Sequence, residues 1–136
     1  MMDAPFYWVD AFSPVPFAGN PAAVCILPHA LSESTMHSLA FEFGLSETAF
    51  VWAEDGADAW RLRWFTPTAE VHLCGHATVA AATALWEHHQ TTESLTFHTL
   101  SGPLEARHED GQVELTFPAR PPEQFPMPQG LSLIHI

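Results

Sequence analysis

Lysine is absent from these 136 residues, and the basic side chains number four: Arg61, Arg63, Arg107 and Arg120. Without lysine there is no Schiff-base chemistry, hence no pyridoxal phosphate enzyme, and no P-loop lysine to hold a nucleoside triphosphate. Four arginines against 16 acidic residues cannot track a phosphate backbone, which excludes nucleic acid and anionic membrane surfaces as partners. No apolar run approaches the roughly 20 residues that span a bilayer. The start, Met1-Met2-Asp3-Ala4-Pro5, lacks the basic region of a secretion signal. Two cysteines are too few for a disulfide framework and favour a reducing, cytoplasmic setting.

What remains is enough for one folded domain. Hydrophobic residues make up 47% of the chain and charged residues 15%, well outside the composition that keeps chains disordered. A domain of this size buries roughly two-thirds of the surface that its unfolded chain exposes.

Short strand-like segments dominate. Residues 6–12 read as a strand, 22–27 as a buried apolar one, 47–53 and 59–65 as a hairpin around the turn 54–58, and 71–74 as a short extended piece. Residues 95–100, 104–108 and 113–117 complete the set, the last two joined by Glu109-Asp110-Gly111, a strong hairpin signal. A helix over about 33–43 is amphipathic, with Ser32 or Ser34 as its cap and Gly44 where a terminating glycine belongs. A second helix, about 76–88, is small and apolar on every side, so it is expected at the centre of the fold, wrapped by sheet. The fold class is therefore α+β: about seven strands and two helices.

Beyond residue 117 come five prolines without periodicity, which reads as a linker over 118–130 leading to something further. The final six residues, Leu131-Ser132-Leu133-Ile134-His135-Ile136, match the translation of a transposon end used in sequencing-library adaptors, and 131–136 are read as adaptor read-through.

Three clusters at strand ends carry chemistry: Gly19-Asn20-Pro21, Leu45-Ser46-Glu47-Thr48-Ala49-Phe50 and Cys74-Gly75-His76-Ala77-Thr78. Glu47 lies between a helix end and an apolar strand, where a carboxylate loses part of its water and is suited to take and return a proton. Gly75-His76 opens the apolar helix, and the free amides there suit an anionic group such as a substrate carboxylate or a developing enolate, with His76 as a further donor. His72, Cys74 and His76 alternate and form an alternative zinc set, although no fourth ligand is specified and a helix opening at Gly75-His76 would break the extended geometry. Cys25 with Cys74 forms another alternative, a two-thiol racemase pair, if both thiols face one carbon.

Taken in order, Val9-Asp10-Ala11-Phe12, the run from Pro16 through Gly19-Asn20-Pro21 to Val24, Leu45-Ser46-Glu47-Thr48-Ala49-Phe50-Val51, Arg63-Trp64-Phe65-Thr66-Pro67 and Leu73-Cys74-Gly75-His76-Ala77-Thr78 resemble the amino-terminal half of the PhzF-like isomerase family. The resemblance covers 6–117. It implies one of two similar lobes with a diaminopimelate epimerase-like fold, a strongly curved sheet around a central helix, and an active site between the lobes. By the same resemblance Glu47 is the acid/base glutamate, His76 lines the cleft, and Asn20, Gly75 and Cys74 are substrate-binding positions. The phenazine-pathway members shift a double bond by moving a proton without a cofactor, in keeping with a lysine-free sequence. They follow the glycine-histidine pair with proline, where this chain has Ala77-Thr78.

The implied organisation is a lobe over 1–117, a linker over 118–130 and a missing carboxyl-terminal lobe, without which the half-site is expected to be inactive. The expected partners are a small-molecule substrate, the missing lobe and a second copy in a homodimer. The competing functions are a non-catalytic interaction protein on the same fold, a two-base epimerase relative, and the metal-binding module.

Overall fold

The computed structural model describes residues 3–117, save 16, 55–58 and 90, together with 119. In chain order the elements are β1 (Phe6–Ala11), β2 (Asn20–Leu27), α1 (Glu33–Phe43), β3 (Glu47–Ala53), β4 (Ala59–Phe65), β5 (Glu70–Val71), α2 (Gly75–His88), β6 (Ser94–Thr99), β7 (Gly102–Glu109) and β8 (Gln112–Thr116). One mixed sheet runs in the order β1-β2-β3-β4-β6-β7-β8, with the two-residue β5 on β4. Its two parallel joints, β2 with β3 and β4 with β6, are the two that a helix bridges, because a parallel return needs a long crossover. The seven expected strands and two helices are present, and β5 is what remains of the extended piece expected over 71–74.

β2 from Ala22 and β3 from Ala49 onward are apolar because both of their faces are covered. Ala22, Val24 and Ile26 of β2, Ala49 and Val51 of β3, and Leu62 and Trp64 of β4 pack toward α2. The alternate residues Cys25, Leu27, Phe50 and Phe65 pack with Met36 and Ala40 of α1 on the other face. The strand period of two thus sorts neighbouring residues into two separate cores.

α2 touches β1, β2 and β3 near one end of the sheet and β7 and β8 at the other, so the sheet curls around it into a half-barrel. Small residues permit this. Ala77, Ala80, Ala81, Ala82 and Ala84 are all buried, letting backbones approach on several sides, and a larger side chain at fully buried Ala81 would overpack the interface at roughly 1–3 kcal/mol.

Ser32 caps α1 by accepting from the Thr35 N–H at 3.2 Å, and Gly44 ends it at φ 66, donating to the Ala40 carbonyl. The β7–β8 turn places Asp110 at φ 50 and Gly111 at φ 76, the mirror-image turn that its sequence signals. β1 ends at Ala11, one residue earlier than expected, because Phe12 takes φ 67 and leaves the strand. The turn at 54–58 after Glu54, the linker 118–130 apart from Ala119, and 131–136 lie outside the described residues. Among the described residues no helix is long and apolar enough to cross a membrane.

Candidate active site

Glu47 is the first residue of β3. It pairs with Ala22 and shares the α2 face of the sheet with Ala49 and Val51, so its carboxylate stands at the mouth of the curl, where α2 begins. His76, the second residue of α2, brings Nε2 to 3.0 Å from Glu47 Oε2, with the side chains 10% and 21% exposed. On the other edge of the same ring, Nδ1 lies 3.4 Å from Cys74 Sγ. The imidazole therefore stands between a carboxylate and a thiol, one nitrogen to each.

The carboxylate and imidazole are close but not bonded. Glu47 Oε2 and His76 Nε2 are both buried and both without a hydrogen-bond partner, so at 3.0 Å the alignment fails rather than the distance. Buried polar atoms left open in this way are uncommon, and a catalytic role is one of the reasons a fold keeps them; Thr48 Oγ1, next in β3, is a third.

Burial pushes the Cys74 thiol up from its ordinary 9.0 to about 11; the amides of Ala77 and His76 oppose the rise and the Glu47 charge adds to it. Cys74 is thus a neutral thiol near pH 7. Its backbone is fixed by a buried relay: Trp64 Nε1–H donates to Thr78 Oγ1 at 3.1 Å, and Thr78 Oγ1–H donates to the Cys74 carbonyl at 2.6 Å. No side chain caps α2, and a Cβ on Gly75 would meet nothing within 4 Å. Open space therefore lies beside Gly75 at the start of α2, the helix end at which an anionic group is favoured.

Glu47, Cys74 and His76 come together, with Gly75 between the latter two in sequence. Asn20 lies at the same end of the sheet, exposed at the start of β2 opposite Ala11, two residues before the partner of Glu47. The corner leading to it is tight, since a Cβ on Gly19 would lie 2.6 Å from the Ala11 carbonyl oxygen.

The metal-ligand candidates change membership. One ligand atom each from Glu47, Cys74 and His76 fall within 4.8 Å of one another, whereas His72 is not in the group and its carbonyl instead accepts from Ser101 Oγ. The helix opening at Gly75 breaks the alternation that would have aligned His72 with the other two. Even the observed trio is poorly suited to one ion, because the carboxylate and the thiol face different nitrogens of a single ring. The two-thiol pair is ruled out by the sheet itself. Cys25 belongs to the α1 core and Cys74 to the α2 core, and burial pushes the Cys25 thiol up to about 12.

Sequence reasoning missed Phe12 and the Trp64–Thr78 relay. Phe12 is 70% exposed, sits at φ 67 and has its ring centroid 6.5 Å from that of His76. A bulky residue held in the left-handed region beside polar site groups is strain of the kind that clusters at functional sites. Nothing in a strand-like run ending in Phe12 signals a positive φ. The relay did leave a signal: a threonine four residues after a helix-opening residue can return its hydroxyl to that residue's carbonyl.

Arg63 is held by both oxygens of Glu70, at 2.5 and 2.6 Å, and Arg61 by Glu54. These two arginines are therefore committed elsewhere, and the helix amides and His76 are the donors at the site.

A family model described as "Phenazine biosynthesis-like protein" matches residues 9–134. The chain is 48% identical over 126 residues to an uncharacterised isomerase of Halalkalibacterium halodurans, covering 91% of this chain and 47% of that protein. It is 46% identical over 133 residues to phenazine biosynthesis-like domain-containing protein 2 of Mus musculus, covering 91% and 46%. Among solved structures it is similar to a phenazine biosynthesis protein of the PhzF family from Enterococcus faecalis, with a TM-score of 0.81 and 43% identity over 94% of this chain and 49% of that one. A hydroxyproline epimerase of Agrobacterium vitis, at 15% identity and a TM-score of 0.58 over 83% of this chain and 41% of that one, shares the fold alone. The chain spans about half the length of the curated relatives it matches.

Proposed function

The chain belongs to the phenazine biosynthesis-like (PhzC-PhzF) family, which includes isomerases, and from this premise we propose that it is the amino-terminal lobe of a cofactor-independent isomerase that shifts a double bond by moving a proton on a small carboxylate-bearing substrate. The observation that carries the reading is the buried, unbonded pair of Glu47 Oε2 and His76 Nε2, 3.0 Å apart at the open start of α2.

In this reading ionised Glu47 removes a proton from a carbon next to a conjugating group. The electron pair left behind moves into the conjugated system as a dienolate, and the Nε2–H of His76 with the first amides of α2 donates to the oxygen that gains charge. Glu47, now the acid, returns the proton to a different carbon of the same system. The double bond has moved, the net proton count is unchanged and no electrons have been exchanged with a partner. Positioned proton transfer of this kind contributes roughly 10²–10⁴-fold. Substrate carboxylate recognition falls to the helix start, because Arg61 and Arg63 are paired elsewhere.

The missing half of the relatives' length supports a second lobe closing over Glu47 and His76, and a homodimer and a cytoplasmic setting belong to the same proposal. The test is proton NMR in deuterated water, in which small unsaturated carboxylic acids are offered to the protein extended to its relatives' length. Exchange or isomerisation of one of these acids by the wild type, lost in Glu47→Gln, is the expected result. Equal turnover by Glu47→Gln would make the carboxylate structural. Silence of the wild type across a broad set of acids would favour the non-catalytic interaction protein.

A further inference from the structure

We propose that Cys74 is a positioning residue for His76: its thiol donates a hydrogen bond to Nδ1 and holds the imidazole in the tautomer that carries its proton on Nε2, the nitrogen beside Glu47. The inference rests on the reading of His76 as the donor of the site.

A neutral imidazole has one N–H donor and one bare nitrogen, and the partner of one nitrogen fixes the state of the other. At His76 both partners are defined. With the proton on Nδ1, bare Nε2 would set its lone pair against those of the Glu47 carboxylate 3.0 Å away. With the proton on Nε2, the positive edge of the ring faces the carboxylate, and bare Nδ1 requires a donor 3.4 Å away, where Cys74 Sγ stands. The arrangement is the reverse of the common one, in which a backbone carbonyl or carboxylate accepts from Nδ1–H.

Two further observations agree. The Cys74 thiol keeps its proton near neutrality, because burial pushes it up to about 11, so it has an S–H to give. The residue is also held rigidly, because its carbonyl is tied through Thr78 to the Trp64 indole. His76 Nε2 meanwhile has no hydrogen-bond partner and its side chain is nine-tenths buried; an N–H held there is free for a substrate oxygen.

Two-bond nitrogen–proton NMR of this chain, labelled with nitrogen-15 at histidine and recorded near pH 8.5 where imidazole is ordinarily neutral, reads the tautomer directly. The expected wild-type spectrum has a bare, pyridine-like Nδ1 and a protonated Nε2 at His76. Cys74→Ser, whose hydroxyl also donates, should keep that pattern. Cys74→Ala should lose it in favour of a mixture of tautomers, while Cys25→Ala, on the other side of the sheet, leaves His76 as in the wild type. A proton on Nδ1 in the wild type, a switch to Nδ1–H in Cys74→Ser, or an unchanged tautomer in Cys74→Ala would overturn the proposal. The wild-type measurement decides even where a variant does not fold. An active Glu47→Gln enzyme would end the isomerase reading without altering the wild-type spectrum, so the two failures are told apart.

Discussion

Trp64 and Thr78 meet across the sheet-to-helix interface in a buried hydrogen bond of 3.1 Å, and through it the indole of β4 grips the first turn of α2. Both capacities of the hydroxyl are engaged, since it accepts from the indole and donates to the Cys74 carbonyl. Thr78→Val keeps the shape but leaves the indole N–H without a partner at a fully buried site. An orphaned buried donor costs about 1–3 kcal/mol, so urea unfolding of this chain should show a loss of that size, and Thr78→Ser, which keeps the hydroxyl, a smaller one. Equal losses for the two variants would mean that the methyl, and not the hydroxyl, matters here.

Phe12 should behave in the opposite sense. It is largely exposed yet held at φ 67, and the left-handed region costs an ordinary residue about 1–2 kcal/mol. Asparagine tolerates that conformation, so Phe12→Asn is expected to raise stability by about 1 kcal/mol in thermal unfolding. If the ring also forms a wall of the site beside His76, turnover by the extended protein falls in the same variant. A destabilised Phe12→Asn would show that the ring contributes more packing than its exposure implies.

Much of the fold was legible because its signals are local. The all-round apolar character of the segment from Ala77 to Leu85 placed it at the centre, and Gly44 and Asp110-Gly111 marked turns by the conformations they tolerate. Glu47 and His76 were recognisable as members of clusters at element ends. What a linear reading could not supply is the contact between the start of β3 and the start of α2, and the pleat, which sends Cys25 and Cys74 to different cores. The exchange of Glu47 for His72 beside Cys74 and His76 follows from that same geometry, since alternation holds only as far as the strand does.

The two thiols give the stability a signed dependence on alkaline pH. Burial raises Cys25 to about 12 and Cys74 to about 11, each from 9.0, so above pH 9.0 the unfolded chain releases thiol protons that the folded chain keeps. The contribution is fully present below pH 9.0 and is lost as pH climbs toward those folded values. A tenfold difference in acidity between the folded and unfolded thiol is worth about 1.4 kcal/mol, which makes a decline of a few kcal/mol detectable by urea titration between about pH 8 and about pH 10.5. Cys25→Ala lacks the larger of the two effects and should show a flatter decline. A slope identical to that of the wild type would mean that Cys25 ionises as freely in the folded chain as in the unfolded one.

The most direct test of the proposed chemistry is the coupling between Glu47 and His76. In the extended protein Glu47→Asp keeps a carboxylate but withdraws it by one methylene from both the substrate and His76 Nε2, and a misplacement of about 1 Å can cost about a hundredfold in rate. His76→Asn retains a donor near the developing charge and should leave measurable activity, with a loss of roughly 10²–10³-fold as for other oxyanion donors. If the two side chains serve one proton transfer, their effects are not independent: once Glu47 is misplaced, the dienolate that His76 would stabilise forms in the wrong register, and the donor has less left to contribute. The double variant is therefore expected to be less impaired than the product of the two single losses, read as kcat/KM on whichever acid the wild type turns over. Multiplicative losses would mean that Glu47 and His76, though 3.0 Å apart, act on separate steps.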